Sequence, residues 1–228
     1  MLRIVSRLVS IIVLLGSVSL FAVDGAVLIS QASVMAVGGF PYKITQPGSY
    51  KLSSNLIVPA DTDGISVLAA GVTIDLNGFG IIGAINCDTA SCLPVPTVIS
   101  HGIISRIGAL TVRNGHVRGF HTGIFTEGGL VEDVQLLSNF AFGTNAFNAV
   151  LRRNNVAANG GTGIGCGSCV VTENVVTSNA GQAAILAEGT VFGSNLFFRN
   201  GSLLLTDASS VSQHNSSCVD NNGNGGPC

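Results

Sequence analysis

Residues 154–200 read NNVAANGGTGIGCGSCVVTENVVTSNAGQAAILAEGTVFGSNLFFRN, and this stretch decides the fold because it repeats itself about every 20 residues. One column of the repeat contains Asn154, Asn174 and Asn195, and a second contains Asn139, Asn159, Asn179 and Asn200. A third contains Gly102, Gly123, Gly143 and Gly163 at a nearly constant spacing. Three columns in one register indicate a repeat architecture.

The pieces between these columns are too short to form helices. Val150-Leu151, Val170-Val171 and residues 195–198 are short apolar runs, which are typical of strands. Two or three such strands close one coil, and coils stacked at about 4.8 Å form parallel sheets. The sequence therefore predicts an all-β fold, a single right-handed parallel β-helix (solenoid) with rungs of about 20 residues.

The repeat also predicts which side chains share a column. The column expected to face the core contains Leu110, Leu130, Val150, Val170 and Val191. The asparagines are expected at left-handed turn positions, where stacked side-chain amides hydrogen-bond along the axis as ladders. Several of the 11 Phe fit interior columns, including Phe197.

Composition limits the function classes. With 228 residues, of which 46% are hydrophobic, the chain is long enough for one well-buried domain. A net charge of -2 provides no basic field for nucleic acid, so a nucleic-acid partner is not expected.

The chain divides into four predicted segments. Residues 1–22 carry two arginines before an apolar run and are predicted to be a signal peptide; the alternative is an uncleaved membrane anchor. Residues 23–43 are expected to be an N-terminal cap or lead-in, residues 44–215 the β-helix with an inserted loop at 84–97, and residues 216–228 a C-terminal cap or tail. We expect a secreted or periplasmic protein with no stable membrane span after cleavage.

The six cysteines form three pairs that are local in sequence: Cys87 with Cys92, Cys166 with Cys169, and Cys218 with Cys228. Disulfides suit an exported protein. A metal half-site or redox motif is the alternative for Cys166 and Cys169, but no second pair or His partner accompanies them. Free thiols are a third possibility.

Charged side chains gather in the middle coils. At the repeat step of about 20 residues, Arg113, Asp133, Arg153 and Glu173 form a column of alternating sign that would neutralise itself on the surface. A slip of one residue at Glu132-Asp133 would dissolve this column. On the same step, His116 aligns with Leu136, Val156, Val176 and Phe197, which predicts that it points inward.

A functional alternative uses the same charged residues. Arg106, Arg118, His121 and Arg153 would bind an acidic polysaccharide, because guanidinium groups hold uronate carboxylates in bidentate fashion. Catalysis would fall to Arg113, His116 and Asp133, with Glu132 as an alternative proton-transfer group. Neither a calcium-binding Asp cluster nor a clear carboxylate pair for glycoside hydrolysis is evident in the sequence, and no metal or cofactor is expected.

The block from Ile44 to Gly83, followed by Leu110 to Phe120, resembles exported bacterial β-helix repeat proteins of the pectin-lyase-like superfamily. The resemblance covers most of the chain after residue 22. It implies the scaffold and no single activity, since that superfamily includes lyases, hydrolases, epimerases and adhesins.

The sequence favours a non-catalytic structural or glycan-interacting module at the cell surface or in the periplasm. The first alternative is a polysaccharide lyase or hydrolase acting on acidic glycans, and the second is a self-associating surface protein. Sugar-binding platforms usually use Trp or Tyr, whereas this chain has no Trp and 2 Tyr. Polar and Arg contacts are therefore expected to hold any sugar.

Overall fold

The computed structural model describes residues 22–23, 25–87, 91–187, 189–202, 205–206, 211–212, 217–221 and 224–227. These residues form a parallel β-helix whose coils repeat about every 20 residues, which confirms the predicted all-β fold. Each regular coil contributes strands to three stacks, named sheets 1, 2 and 3 in the order in which a coil crosses them.

The strands of sheet 1 are Tyr42–Ile44, Ile65–Val67, His101–Ser105, Thr122–Thr126, Phe142–Phe147, Thr162–Gly167, Ala184–Ala187 and Leu205–Thr206. The strands of sheet 2 are Ala26–Ile29, Gly48–Leu52, Val72–Asp75, Ala149–Arg152, Val170–Thr172, Val191–Gly193 and Val211–Ser212. The strands of sheet 3 are Leu56–Ile57, Gly80–Ile82, Asn155–Ala157, Val175–Thr177, Leu196–Phe198 and Ser217–Asn221. Two longer strands, Leu110–Arg118 and Gly129–Leu137, run from sheet 2 into sheet 3 and join them.

Irregular elements lie at both ends of the described coils. Ala22–Val23 pairs antiparallel with Ala26–Ile29, and the helix Gln31–Ala36 follows with Val34 buried in the core. At the other end, Asn224–Pro227 pairs antiparallel with Ser217–Asn221. Apart from Ala22, the predicted signal peptide lies outside the described residues. Those residues include no helix long and apolar enough to cross a bilayer.

The core is filled by columns of apolar side chains, one from each coil. One column contains Val112, Val131, Leu151, Val171 and Phe192, and another contains Val117, Leu136, Val156, Val176 and Phe197. Every member is at most 3% exposed, and the prediction that Phe197 is interior is confirmed. The core therefore runs along the axis of the helix.

Of the column predicted to face the core, only Leu110 does so, and the prediction is wrong for Leu130, Val150, Val170 and Val191. Leu110 lies opposite Gly129 rather than opposite Leu130, so this coil is one residue shorter on sheet 2 than the repeat predicts. Leu130 and its partners line the outer side of sheet 2, where Val170 is 44% exposed. The cause is a turn after sheet 1 that is two residues shorter between Ile124 and Gly129 than between Ile103 and Leu110. A shift of one residue moves a strand side chain to the opposite face of its sheet.

The predicted asparagine ladders are confirmed. In the first ladder, the side-chain amide of Asn139 donates to Asn159 Oδ1 at 3.0 Å, Asn159 donates to Asn179 at 2.8 Å, and Asn179 donates to Asn200 at 2.8 Å. In the second, Asn154 donates to Asn174 and Asn174 to Asn195, each at 3.0 Å. Buried amides are stable there because each donor meets an acceptor in the next coil.

The left-handed backbone conformation falls on the residues directly before the ladder asparagines, not on the asparagines themselves. These residues are Ser138, Arg153, Ala158, Glu173, Ser178, Ser194 and Arg199, with φ between 51° and 58°. The sequence-based assignment of left-handed turns to the asparagines was therefore wrong by one position. The turn precedes each amide and directs it inward.

Three of the four members of the glycine column, Gly123, Gly143 and Gly163, are explained by the first ladder. A Cβ atom at Gly143 would lie 2.7 Å from the carbonyl oxygen of Gly163 and 2.9 Å from Asn159 Nδ2. A Cβ atom at Gly163 would meet Asn179 Nδ2 at 2.8 Å. Glycine recurs because the ladder and the backbone of the next coil leave no room for a side chain.

The inserted loop is a short antiparallel hairpin of Asn86–Cys87 and Cys92–Leu93, closed by a Cys87–Cys92 disulfide. This hairpin packs on Phe140. At the end of the loop, the backbone and side chain of Thr97 donate hydrogen bonds to Asp61, which lies outside the loop.

A second disulfide joins Cys166 and Cys169, which excludes a metal half-site at these two sulfurs in this structure. Two of the three predicted pairs are thus present. The third, Cys218 with Cys228, includes a residue outside the described ranges.

Candidate functional site

Six charged side chains meet where the coils turn from sheet 2 to sheet 3. We name this cluster the charged corner; it contains Asp75, Arg113, Glu132, Asp133, Arg152 and Arg153. The turn positions Asp133 and Arg153 are stacked one coil apart, and the strand ends beside them bring the other four together. It includes two of the three residues that the sequence predicted as catalytic.

The arginines of the charged corner are paired with carboxylates of the adjacent coils. Arg153 binds Asp133 in bidentate fashion, with Nε donating to Oδ1 at 2.9 Å and Nη2 donating to Oδ2 at 2.8 Å. Arg152 Nη2 and Arg153 Nη2 both donate to Glu132 Oε2, at 2.7 Å and 2.9 Å. Arg113 Nε lies 3.3 Å from Asp75 Oδ2.

The predicted alternating column holds in part. Asp133 and Arg153 do pair, but Arg113 lies in register with Glu132 rather than Asp133, because of the same shortened coil. Hydrogen bonding from Arg153 lowers the pKa of Asp133, which holds that carboxylate ionised. A carboxylate stabilised in this way is a weak proton acceptor at neutral pH.

His116 points outward, so the prediction that it faces the core is wrong. It lies opposite Gln135 and Gly80, while Val117 occupies the core column. The ring packs over Gly80, since a Cβ atom there would lie 2.0 Å from His116 Nε2. Burial, followed by the charge of Arg118, lowers the pKa of His116 and favours the neutral ring.

The residues that the sequence predicted to bind an acidic polysaccharide, Arg106, Arg118, His121 and Arg153, do not form one surface. Arg118 ends its strand on sheet 3, whereas Arg106 and His121 flank strands of sheet 1. Arg118 and His121 are close in sequence, but the chain crosses from sheet 3 to sheet 1 between them. Val117, before Arg118, lies in the core column of sheet 3, and Ile124, after His121, lies in the core column of sheet 1. Arg113, Asp133 and Arg153 remain together, and the other candidates are distributed around the coil.

The outer side of sheet 1 carries aromatic side chains that the sequence analysis missed. We name this surface the aromatic face; it is defined by Phe125, Phe142, Asn145 and Phe147. Phe147 is 41% exposed, and the rings of Phe125 and Phe147 have centroids 6.3 Å apart. Neighbouring core residues such as Ile124 and Ala146 are fully buried, so the alternation along these strands was the available signal.

Glycines of the next coil seat two of these rings. A Cβ atom at Gly165 would lie 3.1 Å from the Phe142 ring, and one at Gly167 would lie 3.1 Å from the Phe147 ring. Gly165 and Gly167 therefore leave space in which the rings lie close to the sheet.

Polar groups border the aromatic face. Asp63 Oδ1 accepts from the backbone N–H of His101 at 2.7 Å and lies 3.0 Å from His101 Nδ1. The His101 ring meets Phe125 edge-on at 5.8 Å. Arg106 lies 4.9 Å above the Phe125 ring and 3.3 Å from Glu127. The face thus combines ring surface with an oriented histidine.

A groove of about 440 Å³ adjoins the aromatic face beside the inserted loop. We name it the loop groove; its lining residues are Ser91, Cys92, Phe140, Ala141, Phe142, Gly160, Gly161, Thr162 and Ala180. His121 packs against Phe140 with centroids 5.8 Å apart, and burial, followed by the charge of His101, lowers its pKa. Within the described part of the chain, no three His, Cys, Asp or Glu side chains group as a metal site would require.

No family model matches the sequence, and no curated protein matches it either. The structure is similar to the Dettilon tailspike protein, with a TM-score of 0.52 and 14% identity over 85% of this chain and 55% of that one. It is also similar to the enzymatically active domain of tailspike protein 2 of bacteriophage CBA120, with a TM-score of 0.49 and 11% identity over 81% of this chain and 36% of that one. A third similar structure is the A-module of mannuronan C-5 epimerase AlgE4 of Azotobacter vinelandii, with a TM-score of 0.38 and 15% identity over 75% and 52%.

This chain thus spans about half the length of the Dettilon tailspike protein. The similarity to that protein agrees with the fold that the sequence predicted, a parallel β-helix.

Proposed function

We propose that this chain is a non-catalytic β-helix that acts outside the cytoplasm and binds a glycan along the aromatic face. The observation that carries the proposal is the group of phenylalanine rings on the outer side of sheet 1, in which Phe147 is exposed and glycines seat Phe142 and Phe147. A pyranose ring offers an apolar C–H face that packs on an aromatic ring, while Asn145 and His101 provide hydrogen-bonding groups beside it.

The pairing of charges elsewhere supports this choice. Arg113 and Arg153, which the sequence offered for an acidic sugar, already bind carboxylates of neighbouring coils. A uronate would have to displace these carboxylates, so the charged corner does not favour an acidic ligand.

The disulfides support action outside the cytoplasm. Cys87–Cys92 and Cys166–Cys169 are both closed, and disulfides persist in oxidising compartments such as the periplasm or the extracellular space. Fractionation of the producing cell, followed by blotting for this chain, tests the location directly.

Binding is tested by titrating the purified protein with a panel of neutral and uronate-containing oligosaccharides. The substitution Phe147→Ala is expected to weaken binding about tenfold, because it removes an exposed ring that supports no core side chain. Val170→Ala is the matched control, since Val170 is similarly exposed but lies on sheet 2. Binding that is unchanged in Phe147→Ala would overturn the proposed location, as would an equal loss of binding in Val170→Ala.

A second candidate function, acid–base catalysis on a glycan, is favoured by the Asp63–His101 pair. A carboxylate that holds one ring nitrogen orients the imidazole, so that the other ring nitrogen faces a bound ligand in a fixed direction. If this candidate is correct, the protein releases reducing ends or unsaturated products from a bound glycan, and His101→Gln abolishes the release. Binding without turnover supports the non-catalytic proposal.

A further inference from the structure

We propose that the loop groove is a binding site for the acetamido group of a neutral sugar. This inference rests on the proposed function, because the sugar would belong to a glycan lying on the aromatic face. It adds the chemical class of the ligand and a second set of contacting residues.

The lining of the groove is predominantly apolar. It contains no side chain that can ionise, because its one cysteine is held in a disulfide. Cys92 is held in a disulfide, Phe140 and Phe142 contribute ring surface, and Ala141 and Ala180 contribute methyl groups. Transfer of a methyl group from water to such a surface is favourable. The acetyl methyl is the part of an acetamido sugar that matches this surface.

The electrostatics of the groove match an uncharged ligand. His121, which packs on Phe140 beside the groove, favours its neutral form because it is partly buried. A carboxylate or ammonium group entering the groove would lose hydration without meeting a counter-charge among the lining residues. A neutral sugar carries no such cost.

One polar group in the lining suits the amide of the ligand. The hydroxyl of Thr162 donates to Gln182 Oε1 at 3.0 Å, so its proton is committed while its oxygen can still accept. An acetamido N–H is a donor of the required kind. A plain sugar hydroxyl could also donate to Thr162, but it would leave the apolar surface uncovered.

The groove is continuous with the aromatic face through Phe142. This residue lines the groove, and its ring also packs over Gly165 beside Asn145. A glycan stacked on the aromatic face would therefore place a neighbouring sugar residue at the groove.

The test compares chitopentaose, whose sugars carry an acetamido group at C2, with cellopentaose, whose sugars carry a hydroxyl group there. Calorimetric titration of the full chain is expected to show about tenfold tighter binding of chitopentaose, which corresponds to one methyl group and one hydrogen bond. Ala180→Phe fills the groove from an exposed position and is expected to remove this preference while leaving cellopentaose binding unchanged. Ala180→Ser is the control that keeps the space, and a melting curve verifies that each variant is folded.

Equal affinities of the unaltered chain for the two oligosaccharides overturn the inference, as does a preference that survives in folded Ala180→Phe. Failure to bind either oligosaccharide also overturns it. The proposed function fails separately, if no glycan of the wider panel binds or if Phe147→Ala leaves all binding unchanged.

Discussion

The charged corner and the aromatic face are built on the same coils, yet they use their side chains in opposite ways. In the charged corner, Arg153 binds both Glu132 and Asp133 of the preceding coil, at 2.9 Å and 2.8 Å. On the aromatic face, Phe147 keeps 41% of its surface exposed, with a glycine beneath the ring. Charged residues that satisfy each other stabilise the stack, whereas side chains with open surface are available to a ligand.

The largest effect is expected from the scaffold behind the charged corner. Asn174→Ala removes the acceptor for both the backbone and side-chain N–H groups of Asn154, and the donor to Asn195. Because these groups are buried, the free energy of unfolding should fall by about 3 kcal/mol, measured by urea denaturation.

The control for the ladder is Asn155→Ala, at an exposed neighbouring position, which should change stability by less than about 0.5 kcal/mol. The folded Asn174→Ala protein should still bind glycan, because the other ladder lies behind sheet 1. Lost binding in that folded protein would mean that the two regions are not independent.

A smaller loss is expected within the charged corner. Glu132→Gln removes the charge shared by Arg152 and Arg153 at a side chain that is 12% exposed, so stability should fall by about 1 kcal/mol. Glycan affinity should not change, as measured by the same titration. Glu173→Gln, at an exposed turn position, is the control. A large loss of glycan affinity in Glu132→Gln would move the binding site to the charged corner.

The two histidines beside these regions predict a modest dependence of stability on pH. The pKa values of His116 and His121 are lowered from 6.5 mainly by burial, so the folded state binds fewer protons than the unfolded state. This contribution is fully present above about pH 6.5 and is lost as the pH falls through the folded pKa values. The melting temperature should therefore fall on acidification from about pH 7 to about pH 5.

His116→Gln and His121→Gln should each reduce that fall, the first beside the charged corner and the second beside the aromatic face. Asp133 acts in a separate window, because its lowered pKa makes its contribution disappear only at pH values near or below about 3.8. A melting temperature that rises between pH 7 and pH 5 would contradict the lowered histidine pKa values.

The smallest effect is expected from Arg106→Gln. Arg106 is 65% exposed and its contact with Glu127 is at 3.3 Å, so stability should change by less than about 0.5 kcal/mol. The affinity for a neutral glycan should change by less than about threefold, since Phe125 keeps its place on the sheet without the arginine. Thermal unfolding and titration of the same preparation test both statements. A tenfold loss of affinity would instead make Arg106 part of the binding site.

The period and the ladders could be predicted because they recur with little change along the sequence. The register of the middle coils could not be predicted, because two departures from the repeat occur in the same coil. The spacing from Ile103 to Ile124 on sheet 1 is one residue longer than the repeat. The spacing from Leu110 to Gly129 on sheet 2 is one residue shorter. The two differences cancel along the chain, yet they invert the predicted orientation of His116 and the equivalents of Leu110.

The aromatic face was missed for a different reason. Phe125 directly follows the core residue Ile124, and Phe147 directly follows the core residue Ala146, so period-two alternation assigns both rings to the outside. Hydrophobicity alone had assigned phenylalanines to the interior. The seats beneath the rings depend on glycines one coil away, which become neighbours only when the coils are stacked.

The asparagine ladders have a direction. Each side-chain amide donates toward the coil that follows it, from Asn139 to Asn159 and onward to Asn200. A segment such as residues 155–174 therefore brings one incoming acceptor and one outgoing donor for each ladder. Duplication of that segment in tandem would insert a coil without leaving any ladder amide unpaired, so the chain could grow or shrink by whole coils through simple genetic repeats.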